Sequence, residues 1–140
     1  MADRFFFDTN LLIYSMTDDD PVKTKIASAL IRRALAAQKG AVSYQVVQEF
    51  LNSALKRFAR PMSTTECEEY LETVLRPMLR VHSSVGLFIE ALALKNRYKL
   101  SWYDSLIVCA AIEAECTILY SEDMQHGQRF GTLEIRNPFL

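Results

Sequence analysis

Glycine is scarce in this sequence: Gly40, Gly86, Gly127 and Gly131 are the only four in 140 residues. They form neither a phosphate-cradling loop nor a dinucleotide-binding fingerprint, which disfavours nucleotide binding through a Gly-rich turn. Cysteine is scarce too. Cys67, Cys109 and Cys116 are odd in number and lack a C-x-x-C pair, and the two histidines, His82 and His126, stand far apart. A disulfide framework and a Cys/His zinc site are therefore disfavoured, and buried, reduced thiols are expected. No long hydrophobic run exists. The longest, Leu106 to Ile112, falls well short of the ~20 residues a membrane span needs. The N-terminal apolar run, Phe5 to Phe7, is bracketed by Asp3 and Asp8 and does not read as a targeting segment. The expectation is a soluble, cytoplasmic protein with no membrane contact. Charge of one sign is missing as well: 16 Lys and Arg against 17 Asp and Glu give a net charge of -1. Such a chain does not grip nucleic acid by bulk charge alone.

What the sequence does have is apolar content, 50% of residues, enough to offset the entropy of ordering one core. The length predicts a single domain over residues 1–140. Short apolar runs alternate with stretches of helical period. Arg4 to Phe7 reads as a buried strand, and a short helix opens at Leu11 and ends near Asp18-Asp19-Asp20. Asp20-Pro21 starts a longer helix that Gly40 is expected to cap, and Ala41 to Ser43 reads as a second strand. Val47, Phe50, Leu51, Ala54, Leu55 and Phe58 mark a core-facing helical stripe that Pro61 closes. Ser63 and Glu66 form a capping box for a helix that Pro77 is expected to stop, before a strand at Met78 to His82. Leu87, Phe88, Ala91 and Leu92 mark a further helix, ending near Lys99. Ser101 caps the next, Thr117 to Tyr120 follows as a strand, and Leu133 to Ile135 is expected at the sheet edge. Helices between successive strands require crossovers. The expected fold is α/β, a three-layer α/β/α sandwich with a mainly parallel central sheet.

In open parallel sheets, ligands bind beyond the carboxyl ends of the strands. Asp8 directly follows the first strand, and Asp123 follows the Thr117–Tyr120 strand after Ser121 and Glu122. Glu49 lies in the first turns of the helix after the second strand. Asp104 lies in the first turn of the helix that precedes the Thr117 strand, and spacing alone does not fix its end of the sheet. Each acid also has a structural reading. Asp8 suits a helix N-cap, Ser101-Trp102-Tyr103-Asp104 matches a capping box, Asp123 suits a turn, and Glu49 lies opposite the apolar stripe of its helix, as a solvated residue would. If the four meet, they need a counter-charge. Oxygen ligands without His or Cys suit Mg²⁺ or Mn²⁺, and the chemistry indicated is metal-assisted attack of water on a phosphodiester.

Four segments together resemble the PIN domains, and within them the VapC-type toxins of prokaryotic toxin–antitoxin systems. Phe6-Phe7-Asp8-Thr9-Asn10-Leu11-Leu12 is similar to the family's opening strand and D-T-N segment, and Gln48-Glu49-Phe50 to its helix-borne acid. Trp102-Tyr103-Asp104-Ser105-Leu106-Ile107 is similar to its W-x-D helix start, and Leu119 to Gly127 to its S-E-D-M-Q-x-G block. The resemblance covers essentially the whole chain. It implies a ribonuclease in which Asp8, Asp104 and Asp123 hold Mg²⁺ or Mn²⁺. Glu49 would bind through water or orient the nucleophile, and Thr9, Asn10 and Ser121 would fix carboxylates or touch phosphate. It also implies a VapB-type antitoxin partner and a homodimer. Leu12, Ile13, Val46 and Leu55 are candidates for the antitoxin groove, with core packing an equal explanation. Trp102, Tyr103 and Tyr14 are candidates for stacking on RNA bases. Two other readings stay open. One is a non-catalytic module that keeps the acidic pocket for binding. The other is a haloacid dehalogenase-like phosphatase with Asp8 as nucleophile, whose second acid would have to stand where Asn10 is. Without the four site acids the net charge of -1 becomes +3, so acids are concentrated where a cation would sit.

Overall fold

A computed structural model describes residues 3–140; Met1 and Ala2, which the sequence reading includes in the single domain, lie outside it. Six strands form one sheet in the order β3-β2-β1-β4-β6-β5. The strands are β1 (Phe5–Phe7), β2 (Gly40–Ser43), β3 (Leu79–Val81), β4 (Ile118–Tyr120), β5 (Arg129–Phe130) and β6 (Leu133–Arg136). All neighbours pair parallel except β5 with β6. The helices are α1 (Thr9–Met16), α2 (Pro21–Ala37), α3 (Tyr44–Lys56), α4 (Thr64–Tyr70), α5 (Arg76–Met78), α6 (Val85–Tyr98) and α7 (Trp102–Glu113). The α1 helix packs on α2 and α3, and α6 packs on α7, completing the three-layer sandwich with a mainly parallel sheet.

The central strand β1 pairs with β2 on one side and β4 on the other, and its Phe6 and Phe7 are fully buried. Each such side chain contributes about 1.5–3 kcal/mol on burial. The apolar run noted in the sequence becomes α7, which is buried from Ser105 through Ala111. It is a core helix, as its all-round apolar character requires. No described helix is long and apolar enough to cross a membrane. All three cysteines are free and buried, and burial pushes the Cys109 thiol up to about 11 and that of Cys116 to about 12.

Several local expectations give way to tertiary packing. Gln38, not Gly40, ends α2 in the left-handed conformation, with φ 58°. Gly40 instead opens β2, where an added Cβ would meet Met78 Sδ at 2.5 Å and Ala34 Cβ at 3.2 Å. The glycine there answers to close packing rather than to a turn. Pro77 does not stop its helix at once: a π-helical turn (Leu71–Leu75) follows α4, and the proline sits in the first turn of α5, where its missing N–H costs nothing. β6 is not the edge strand, because the antiparallel hairpin to β5 covers it. On α3, Val46, Phe50 and Ala54 are fully buried while Leu55 is 41% exposed, so the stripe is rotated by about one residue from the expected one.

The Gly40 contact generates a test. Met78 is itself buried, at 1% exposure, so Gly40→Ala should destabilise the fold by about 1–2 kcal/mol through overpacking, seen as a lower denaturant midpoint at unchanged slope.

Candidate active site

A helix in a parallel crossover runs antiparallel to the strands, so its first turn lies at their carboxyl ends. For that reason the start of α3, the start of α7 and the residues following β1 and β4 converge on one edge of the sheet. They line an open pocket of about 410 Å³ whose walls include Asp8, Glu49, Asp104 and Asp123. Four carboxylates separated by up to 115 positions in sequence thus share one cavity.

Each is held by a neutral neighbour or left open to the pocket. Asp8 caps α1, accepting from the Thr9 backbone N–H at 2.8 Å through Oδ1 and from the Ser121 hydroxyl at 2.9 Å through Oδ2. It therefore fills both roles the sequence offered, cap and pocket acid. The Thr9 hydroxyl donates to Glu49 Oε1 at 2.6 Å, and Gln45 Nε2 to Oε2 of the same carboxylate at 3.5 Å. Asn10 Nδ2 donates to Asp123 Oδ2 at 2.8 Å. Ser101 accepts from the Asp104 N–H at 3.2 Å to cap α7, but among the described residues the reciprocal bond of a capping box is absent. Among the described residues the Asp104 carboxylate accepts no hydrogen bond, and it lines the pocket. Thr9, Asn10 and Ser121 each bind a different acid, which is where the structure places the three residues singled out beside them in sequence.

Burial pushes the Asp8 carboxyl up from 3.8 to about 6; the Ser121 and Thr9 hydrogen bonds oppose the rise, and the neighbouring charges of Glu49 and Asp123 add to it. Among the described residues no three Asp, Glu, His or Cys side chains stand ready-made around one point. The donor set nevertheless fits a hard divalent cation. It is all oxygen, four carboxylates on a pocket wall without His or Cys, the ligand type such ions take. Glu122 is not part of this wall. Burial works against its ionisation, but the Lys23 ammonium and the Tyr14 hydroxyl outweigh burial and hold its carboxyl below the usual range.

The pocket also contains residues that the sequence did not single out: Gln45, Asn52, Ser53 and Arg57. Gln45, Asn52 and Ser53 lie on α3 at steps of seven and one from one another, and with Glu49 they follow its polar side; that periodicity was the available signal. Arg57 stands just past the helix end, where no pattern marks it. Of the aromatic candidates, Tyr103 is 63% exposed at the pocket, Trp102 is half-buried against Phe88, and Tyr14 is half-buried and bonded to Glu122. Leu12 and Val46 are fully buried and line no groove. Ile13 lines the acidic pocket.

Because the folded carboxyl of Asp8 binds its proton more tightly than an unfolded one, metal-free stability falls as pH rises from about 4 to about 6. Asp8→Asn should remove this loss. Denaturation of both forms without metal should show the variant gaining on the wild type across that window, by up to about 3 kcal/mol, and holding its lead above it.

Comparison with protein families matches residues 5–128 to the PIN domain. A search of curated proteins finds no match. Among solved structures, a toxin–antitoxin complex from Klebsiella pneumoniae contains a chain that superposes with a TM-score of 0.64 at 20% identity, over 95% of this chain and 96% of that one. With the acids at the carboxyl edge of a parallel sheet and the family match spanning all four, this chain belongs to the PIN domain family.

Proposed function

We propose that this protein is a Mg²⁺- or Mn²⁺-dependent endoribonuclease and the toxin of a toxin–antitoxin pair. PIN domains are generally nucleases, and one observation carries the reading here: Asp8, Glu49, Asp104 and Asp123 wall a single open pocket. Asp8, Asp104 and Asp123 would hold the metal directly or through water, with Glu49 acting through water or on the nucleophile. The metal, when bound, supplies an acidified water and neutralises charge on the phosphate. The protein's own part is placement. Ser121 and the Thr9 N–H orient Asp8, the Thr9 hydroxyl orients Glu49, and Asn10 orients Asp123. No acid stands two residues after Asp8, where a phosphatase of the aspartyl-nucleophile kind needs one; Asn10 is committed to Asp123 instead.

RNA is the proposed substrate. The pocket offers a cation for phosphate, Arg57, and an exposed aromatic face for a base, Tyr103. With so few basic groups, binding is weak and salt-sensitive. The proposed antitoxin is a VapB-type protein whose basic side chain enters the acidic pocket past Ile13. The Klebsiella pneumoniae structure supports a partner of this kind by its fold. A homodimer belongs to the same reading. Val85, Ile89 and Leu92 form an apolar stripe on α6 that is 73%, 62% and 56% exposed, a candidate face for a second copy.

Sequencing of RNA ends after brief expression, followed by cleavage of a short single strand in vitro with Mn²⁺, tests the activity. Wild type should cut and Asp8→Asn should not, at unchanged circular dichroism; an active Asp8→Asn, or metal binding without cleavage under any divalent ion, defeats the nuclease reading. Tyr103→Ala should raise KM for RNA about tenfold with kcat within about twofold, because stacking is lost while the acids are untouched. Tyr103→Phe should behave as wild type.

A further inference from the structure

The loop that carries Ser121 and Asp123 is gripped at a second point outside the pocket. Asn10 and Tyr14 are four residues apart on α1 and so share one face of it. Asn10 binds Asp123, and the Tyr14 hydroxyl donates to Glu122 Oε2 at 2.5 Å. One helix face thus holds two consecutive loop residues. Lys23, from α2, closes the arrangement: its ammonium pairs with Glu122 Oε1 and lies 3.5 Å from the Tyr14 hydroxyl. The same ammonium sits 4.9 Å from the centre of the Tyr14 ring and 5.3 Å from that of Phe139. Phe139 meets Tyr14 edge-on, with ring centres 5.3 Å apart. On its other side the loop is stitched to β6 and the residues after it. Ser121 N–H donates to the Arg136 carbonyl at 3.0 Å, Gly127 N–H to the Ile135 carbonyl at 2.8 Å, and Asn137 N–H to His126 Nδ1 at 3.0 Å.

Asp123 depends on this support because it lies on a loop, whereas Asp104 is carried by α7. Asp123 is exposed, and among the described residues its side chain accepts one hydrogen bond, from Asn10. Burial does not fix it, so its position is inherited from the residues beside it. Glu122 is unsuited to join the pocket as a further ligand, because Lys23 occupies one of its oxygens and Tyr14 the other. Lys23 also cancels the Glu122 charge, so the loop brings one unbalanced carboxylate to the acidic edge rather than two.

We propose that Tyr14, Lys23 and Glu122 are positioning residues whose clasp holds the loop so that Asp123 faces the other acids. The role rests on the reading of the pocket as a divalent-metal nuclease site. An ion pair with no such role would shift stability by at most about 1 kcal/mol and leave metal affinity alone. The test is titration of the full-length wild type, Tyr14→Phe, Lys23→Met, Lys23→Arg and Asp123→Asn with Mn²⁺, followed by calorimetry and electron paramagnetic resonance. Hydrogen exchange of the Met124 and Gly127 amides is measured alongside. Tyr14→Phe and Lys23→Met should each weaken Mn²⁺ binding about tenfold, the size usual for groups that orient metal ligands, with faster loop exchange and an unchanged overall fold. Lys23→Arg should restore much of the affinity, and excess Mn²⁺ should restore cleavage in the weakened variants. If the wild type binds Mn²⁺ and Asp123→Asn weakens it, yet Tyr14→Phe and Lys23→Met bind as wild type, the clasp has no positioning role. If the wild type itself binds no Mn²⁺, the metal reading fails and the clasp's role fails with it.

Discussion

Burial of a carboxyl group among other acids at the carboxyl edge of the sheet is the constraint around which the rest of this structure is arranged. Asp8 directly follows the central strand β1, where burial above all, and then the charges of Glu49 and Asp123, discourage its ionisation. A carboxyl raised to about 6 is largely charged at neutral pH, and it carries a cost of up to about 3 kcal/mol that the fold must meet elsewhere. It is met by the core beneath: Phe6 and Phe7, the buried body of α7 and the parallel pairing of β1 on both sides. A site that is unfavourable by itself is thereby held at one edge of the sheet, with its four carboxylates on the wall of one pocket.

The neutral donors are what turn this cluster into a shaped site. Ser121, Thr9 and Asn10 each take one carboxylate, and all three stand directly beside the strands that end at the site. Short, rotamer-limited donors near the strand ends limit the freedom of Asp8, Glu49 and Asp123. The α1 helix has the largest share in this. Its capping residue is Asp8, its first two residues hold Glu49 and Asp123, and Tyr14, one turn on, binds Glu122.

The order of the parallel strands and the helices between them was legible because short continuous apolar runs, the mark of strands buried on both faces, alternate with stretches of period 3.6, and crossovers leave few topologies. Local caps were legible where a side chain bonds its own neighbours: Asp20 caps α2 and Ser63 with Glu66 boxes α4 as their patterns indicate, while Ser101 caps α7 by the one bond it accepts from the Asp104 N–H. The misreadings share one cause. Gly40 resembled a helix cap because glycine so often is one, but its place is decided by Met78, 38 residues away in sequence. Leu133 to Ile135 looked like an edge because it is the last apolar run, yet Arg129 and Phe130 pair outside it. Leu12 and Val46 offered themselves for a groove on composition and are core.

The sequence by itself determined the family, the parallel strands with their crossovers and which acids are candidates for the site, since each of these depends on local pattern or on chain order. Only the tertiary structure decided that Asp104 opens onto the same pocket as Asp8, that Glu122 turns away to Lys23 and Tyr14, and that Arg57 and Tyr103 stand at the pocket. The reason is geometric. Spacing along a chain specifies which face of a helix a residue occupies, whereas the partner of a side chain more than a hundred residues away depends on how the layers come together.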